Sequence, residues 1–335
     1  MNEAKTSKII ILLCIVCLIA GIFSIDKNKA YTEVEGQNNT KIMSNANKVA
    51  VIELNGEIAS DSESNLFASE TDATNMLKSL KQAKDDKDIK GVILKINSPG
   101  GTVGMSQNIY NQIMTIRKNK PVISVFDDVA ASGGYYIASA SDRIVAQEGT
   151  LTGSIGVIFS FMDLHNLMAN KLNIDNVVIK SGKYKDIGSS TRPMTDDERN
   201  LMQTIIDDSY AQFLDAIRMG RIKRNDTYNV QKTELTENTL TSYADGRVFT
   251  GRQAQKLGFV DVTGDIDTAK TMIETMMQQK YNNNHVAKLI KYNQKSSFSE
   301  YFSSFTEYKS RNIFKITDIV PTSVILSRRP LYLWE

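Results

Sequence analysis

Two cysteines and two histidines are all that this 335-residue chain contains, and their positions exclude several kinds of chemistry. Cys14 and Cys17 both lie inside the apolar run IIILLCIVCLIAGIFSI, residues 9–25, so they form neither a zinc site nor a disulfide framework for a soluble domain. His165 sits in MDLHNLM, which reads as a helix start, and His285 lies in an Asn-rich stretch near the C-terminus. Neither has the glycine-rich or loop setting that suits a catalytic imidazole. Sequence distance alone leaves a serine–histidine pairing open, because such groups meet in space rather than along the chain. No metal site is indicated where no cysteine or histidine cluster exists, and no cofactor fingerprint is found. A net charge of +2 is too small to argue for nucleic acid as a partner. No internal repeat points to a solenoid.

What the chain does have begins with its charge-free run. Residues 9–25 are just long enough to span a membrane. A cleaved signal peptide is the rival reading, but no convincing small-residue cleavage pattern follows Phe23, so a retained anchor is expected. Lys5 and Lys8 precede the run and Lys27 and Lys29 follow it, so positive charge sets no orientation. The expected organisation is a short segment 1–8, an anchor 9–25, a polar linker 26–48, a catalytic α/β domain 49–278 and a C-terminal extension 279–335. Within the domain, apolar runs alternate with helical patterns. They are VAVIEL, a helix near 73–86, GVILKI, a helix from about Ser106 to Arg117, PVISVF, a helix after Ser132, RIVA, SIGVIF and VVIK. That order predicts an α/β fold.

Chemistry concentrates in DVAASGGYYIA, residues 128–138. Ser132 stands between Ala130–Ala131, which leave room for a substrate, and Gly133–Gly134, which allow a sharp turn and a close approach of backbone to ligand. A serine at a helix entrance sits among unpaired N–H groups able to stabilise an oxyanion. The plain alternative is an N-cap serine with a softened turn. GVILKINSPGGTVG, residues 91–104, predicts a strand, a Pro-Gly-Gly turn and a helix. Gly100 and Gly101 are candidates for one oxyanion donor and the amide of Gly133 for a second. No Gly-Lys-Ser/Thr follows, so the turn is not a P-loop.

With both histidines poorly placed, a serine nucleophile points to a lysine base. VVIKSGKYKDIGSSTRPMT, residues 177–195, carries Lys183 and Lys185 as candidates. A lysine acts as a base only when neutral, which an apolar pocket favours. Lys185, beside Tyr184, suits this better than Lys183; the plain alternative is a solvated loop with two ordinary lysines.

INSPGGTV (96–103), DDVAASGGYYIA (127–138), GTLTGSIGVI (149–158), SGKYKDIGS (181–189) and ADGRVFTGRQAQKLGFVD (244–261) together resemble the bacterial signal peptide peptidase A family, in its short single-repeat form. The resemblance implies a serine peptidase of the Clp protease/crotonase-like fold, built of stacked β-β-α units, that degrades remnant signal peptides. It implies Ser132 as nucleophile, Lys185 as general base, Ser154 as the serine that orients the amine, and the Pro-Gly-Gly loop as oxyanion loop. It further implies a homo-oligomeric ring or dome, a cell-membrane location with the catalytic domain outside the cytoplasm, and short apolar peptides as substrates. A crotonase-type hydratase shares the fold but needs carboxylates and a coenzyme A site, and an inactive scaffold would be expected to lose Ser132 or Lys185.

Two features of the extension stand outside the resemblance. Phe298, Tyr301, Phe302 and Phe305 make an aromatic helical stripe suited to packing, subunit contact or a membrane surface. The final RRPLYLWE is an apolar run costly to leave in water. It has the character of an extended peptide that a peptidase binds by strand addition, so the tail is expected to reach a catalytic groove, with packing on the domain surface as the alternative.

Overall fold

A computed structural model of the chain describes residues 47–60, 71–284 and 286–292, together with the backbone of two short strands at 32–33 and 331–333. The anchor expected at 9–25, His285 and the aromatic stripe lie outside the described residues. Among the described residues, no helix is long and apolar enough to cross a membrane.

A nine-stranded sheet forms the centre, in the order β1 (Thr32–Glu33), β10 (Ala287–Lys291), β2 (Asn47–Asn55), β3 (Ile89–Ser98), β5 (Val122–Ala131), β6 (Arg143–Ala146) and β9 (Val262–Thr263). Beside that path, β7 (Leu151–Gly153) pairs with the far end of β5 and with β8 (Val248–Thr250). All pairings from β10 to β9 are parallel; β1 on β10 and β8 on β7 are antiparallel. The strands β2, β3 and β5 are near-continuous apolar runs because helices cover both faces of a parallel sheet. Alternate residues serve the two faces. Ala50, Ile52, Leu54, Val92, Leu94 and Ile96 pack with Met76 and Leu80 of α1 (Asp72–Asp85) and Ile109 and Ile113 of α2 (Val103–Arg117). Val49, Val51, Ile93, Ile123 and Val125 pack instead with Met272, Ile273 and Met276 of α8 (Ile266–Tyr281).

The remaining helices are α3 (Gly133–Ala138), α4 (His165–Lys171), α5 (Asp196–Ile217, ending in a π-helical turn Arg218–Ile222), α6 (Glu237–Tyr243) and α7 (Gly251–Leu257). The α/β class and the mostly parallel sheet meet expectation. β10 and β1 come from the segments expected as extension and linker, so the sheet draws on chain beyond 49–278.

Two expected strands do not form. SIGVIF holds one isolated bridge residue, and VVIK forms no regular element. SIGVIF leads from the core, where Ile155 is buried and Val157 packs, into a segment that carries VVIK and whose apolar side chains are largely exposed: Val177 is 83 % and Ile179 98 % exposed. This segment, up to residue 192, is an arm. A strand needs a neighbouring edge for its N–H and C=O groups, and the arm has left the sheet behind.

Candidate active site

β5 ends at Ala131, and the next residue breaks the strand abruptly. Ser132 has φ 53° and ψ −116°, a backbone conformation that a side chain with a Cβ rarely adopts. Its amide donates to the carbonyl of Gly153 (2.8 Å), and its carbonyl accepts from Tyr136 N–H (2.8 Å) to start α3. The turn is thus tied to β7 on one side and to the helix on the other. Its hydroxyl is fully buried, and Oγ has no hydrogen-bond partner among the described residues. Buried polar atoms are almost always paired, so an orphan held on a strained turn is a candidate functional group.

Ser154, next after Gly153, also has a positive φ, 49°, and its amide donates to Arg247 O (2.8 Å). The pairing Ala131↔Gly153 therefore sets the two serines at adjacent strand ends.

The glycines do their work by absence of side chains. A Cβ on Gly133 would fall 2.8 Å from Ser106 Oγ and 3.1 Å from Gly101 N; one on Gly101 would fall 2.2 Å from Ile58 O. The Pro-Gly-Gly loop, whose strand β4 spans Gly100–Thr102, consequently lies directly against the start of α3. The Gly133 N–H has no acceptor among the described residues and is available to an oxyanion. The Gly100 N–H is turned instead to Ser98 Oγ (3.1 Å).

β4 is paired on both edges. On one, Ile58 N–H donates to Gly100 O and Thr102 N–H to Ile58 O, both at 2.7 Å. On the other lies β11 (Leu331–Leu333), antiparallel, with Leu331 opposite Thr102, Tyr332 opposite Gly101 and Leu333 opposite Gly100. β11 also approaches α3. The tail thus lies as an added strand on the loop that flanks Ser132.

Lys185 is not brought to this group. It sits exposed in the arm, and its ammonium has no hydrogen-bond or ion-pair partner among the described residues. Lys183 pairs with Asp197, whose carboxylate raises its pKa and keeps it charged. The loop around Lys185 is fixed through its neighbour: Asp186 accepts from Lys180 and from Arg192 (2.7 Å), and Arg192 also reaches Glu198 (2.5 Å). Glu198 closes the capping box with Thr195 at the start of α5. Arg192, with the Thr195 amide, holds the Glu198 carboxyl down to about 2. Sequence reasoning did not single out Arg192 or Glu198 as site residues. His165 belongs to the same arm, its Nδ1 3.1 Å from Thr191 O.

A serine poised at a strand-to-helix turn, with a helix-start amide unclaimed beside it, suits acyl transfer, and a polypeptide strand already lies along the neighbouring loop. Fold and site together are those of a serine peptidase. Comparison with known proteins agrees. Residues 115–280 match the model of peptidase family S49, and residues 34–148 that of Clp protease. A candidate protease of Synechocystis sp. is 38 % identical over 229 residues, covering 68 % of this chain and 74 % of its own. A candidate signal peptide peptidase SppA of Enterococcus faecium is 37 % identical over 65 % of this chain and 60 % of its own. Protease 4 of Haemophilus influenzae is 31 % identical over 70 % of this chain, but over only 35 % of its own length. The chain belongs to peptidase family S49.

Proposed function

We propose that this chain is a membrane-anchored serine endopeptidase that degrades remnant signal peptides after their release, with Ser132 as nucleophile and Lys185 as general base. Ser132 Oγ attacks the peptide carbonyl while the lysine amine takes its proton. The oxyanion is met by the Gly133 N–H, and the protonated lysine passes its proton to the leaving amine. Water, deprotonated by the same amine, then hydrolyses the ester on Ser132. Ser154 orients the amine. The apolar run 9–25 supports the anchor, with the catalytic domain outside the cytoplasm, and the similarity to a candidate SppA supports the substrate class.

The observation that carries this reading is a complementary pair of orphans. Ser132 Oγ is buried without a partner, and Lys185 is exposed without one, on an arm whose apolar surface is uncovered. A second copy of the chain that covers the arm would bring its lysine to this serine, so the working form is a homo-oligomer with sites shared between subunits. The β11–β4 pairing supports strand addition as the way substrate is held.

A fluorophosphonate probe, which reacts with activated serines, should label Ser132 and no other residue of the full-length chain. Lys185→Ala should suppress the labelling. Labelling elsewhere, or none in a preparation that cleaves peptides, would overturn the assignment.

A further inference from the structure

Beyond the reacting groups, the sheet at β4 carries an ionisable side chain that the chemistry above does not use. Ile58, bridged to Gly101, turns into the core and is fully buried. Its neighbour Glu57 therefore faces the opposite side of the sheet. The bridge of Ile58 to Gly101 aligns Glu57 with Gly100, and Gly100 is opposite Leu333 on β11. Glu57, Gly100 and Leu333 occupy one row across three strands. Because the middle position is glycine, no side chain stands in that row between Glu57 and whatever strand is docked on β4. Two strand spacings amount to about 9.6 Å, a gap that a glutamate and a long cationic side chain bridge from opposite sides.

One oxygen of the half-buried Glu57 carboxyl, Oε1, is buried and has no hydrogen-bond partner among the described residues, and burial raises the pKa of the group. An unpaired buried carboxylate oxygen is costly, and any ligand that donates to it gains that cost back. The resident tail has leucine in the row, which offers no donor.

We propose that Glu57 is a specificity-determining residue of the peptide groove: it selects peptides that place a hydrogen-bond donor, best a lysine or arginine, in the row that Leu333 holds on β11. Such a peptide makes a charge-assisted bond that the tail does not, and so displaces the tail more readily than an all-apolar peptide does. The inference rests on the reading of β4 as the strand that binds substrate.

The test uses the purified full-length chain and fluorogenic peptides of one apolar sequence in which each position in turn is Leu, Lys or Glu. At a single position, Lys should raise kcat/KM about tenfold over Leu, with Glu the poorest. Glu57→Gln should reduce the Lys preference at that position to about twofold, leave the all-Leu peptide within about twofold, and leave other positions unchanged. Glu57→Lys should reverse the preference in favour of Glu. Unaltered positional preferences in Glu57→Gln, or a uniform loss over all peptides, would overturn the inference. If no peptide is cleaved, the proposed activity falls. The inference is then judged by fluorescence anisotropy of the same peptides bound to the chain, where absence of the same positional shift overturns it.

Discussion

Ser132 is the residue on which the most converges: a left-handed backbone, complete burial, an orphan hydroxyl and a glycine that admits the neighbouring loop. Ser132→Ala should lower peptide hydrolysis on the order of 10³-fold or more while the fold persists, because alanine removes one buried, unpaired oxygen. The lysines separate more sharply. Lys183 is held charged by Asp197, whereas Lys185 is unpaired. Lys185→Ala should therefore abolish turnover and Lys183→Ala should leave it nearly intact, as steady-state peptide hydrolysis will read. A dead Lys183→Ala variant would reverse the choice within SGKYKD. Ser154→Ala should slow turnover less than either. At this scale the strand-to-helix turn at Ser132 was legible in the sequence, since Ala131, Ser132, Gly133 and Gly134 are neighbours along the chain. The Ser98 claim on the Gly100 amide was not legible, because it depends on how the loop closes.

Among the elements, the arm and the tail stand outside the core, and the proposed chemistry draws on both. Arg192 pins the Lys185 loop to α5 through Asp186 and Glu198. Both carboxyls are held below their ordinary range, Glu198 to about 2, chiefly by Arg192. A carboxyl depressed in the fold stabilises it above its unfolded pKa, near 4.5 for Glu198, and that contribution is lost as pH falls toward about 2. Protection factors over residues 181–200, measured against the intrinsic exchange rate at each pH, should accordingly fall across that window in wild type. Arg192→Ala should show the lower protection already at neutral pH and lose about 10- to 100-fold in kcat, since a catalytic group displaced by about 1 Å costs on that order. Exchange and kcat unchanged in Arg192→Ala would rule out the clamp.

The tail makes an equally direct claim. β11 occupies the edge of β4 that a substrate strand would use, so deletion of residues 327–335 should raise kcat/KM for dilute peptides several-fold by removing an intramolecular competitor. If the tail is also trimmed at the active site, mass spectrometry should find shortened C-termini in wild type and intact ones in Ser132→Ala. Identical termini together with unchanged rates would leave the tail as a surface strand. The RRPLYLWE run was expected to add as a strand and β11 pairs with β4, whereas SIGVIF and VVIK misled: hydrophobic spacing describes which residues share a face, not what covers that face.

At the scale of the whole molecule, the proposed sharing of sites between subunits has a quantitative consequence. Ser132→Ala and Lys185→Ala chains, each inactive alone, should regain activity when co-expressed in equal amounts. In a ring where each site takes its serine from one subunit and its lysine from the next, about a quarter of the sites would be intact. If both groups act within one chain, no mixture will recover activity.

The sequence by itself determined the α/β class, the positions of the central strands along the chain, the strand-to-helix presentation of Ser132 and the glycine turn beside it. Those features follow from local periodicity and from residues adjacent along the chain. Only the tertiary structure decided that β7 sets Ser154 beside Ser132, that β10 and β1 extend the sheet, that Arg192 fixes the Lys185 loop, and that Glu57, Gly100 and Leu333 share one row. Each of these is a register or a contact between distant segments. Which edges meet is settled by the packing of the whole sheet and its helices, and no local pattern encodes it.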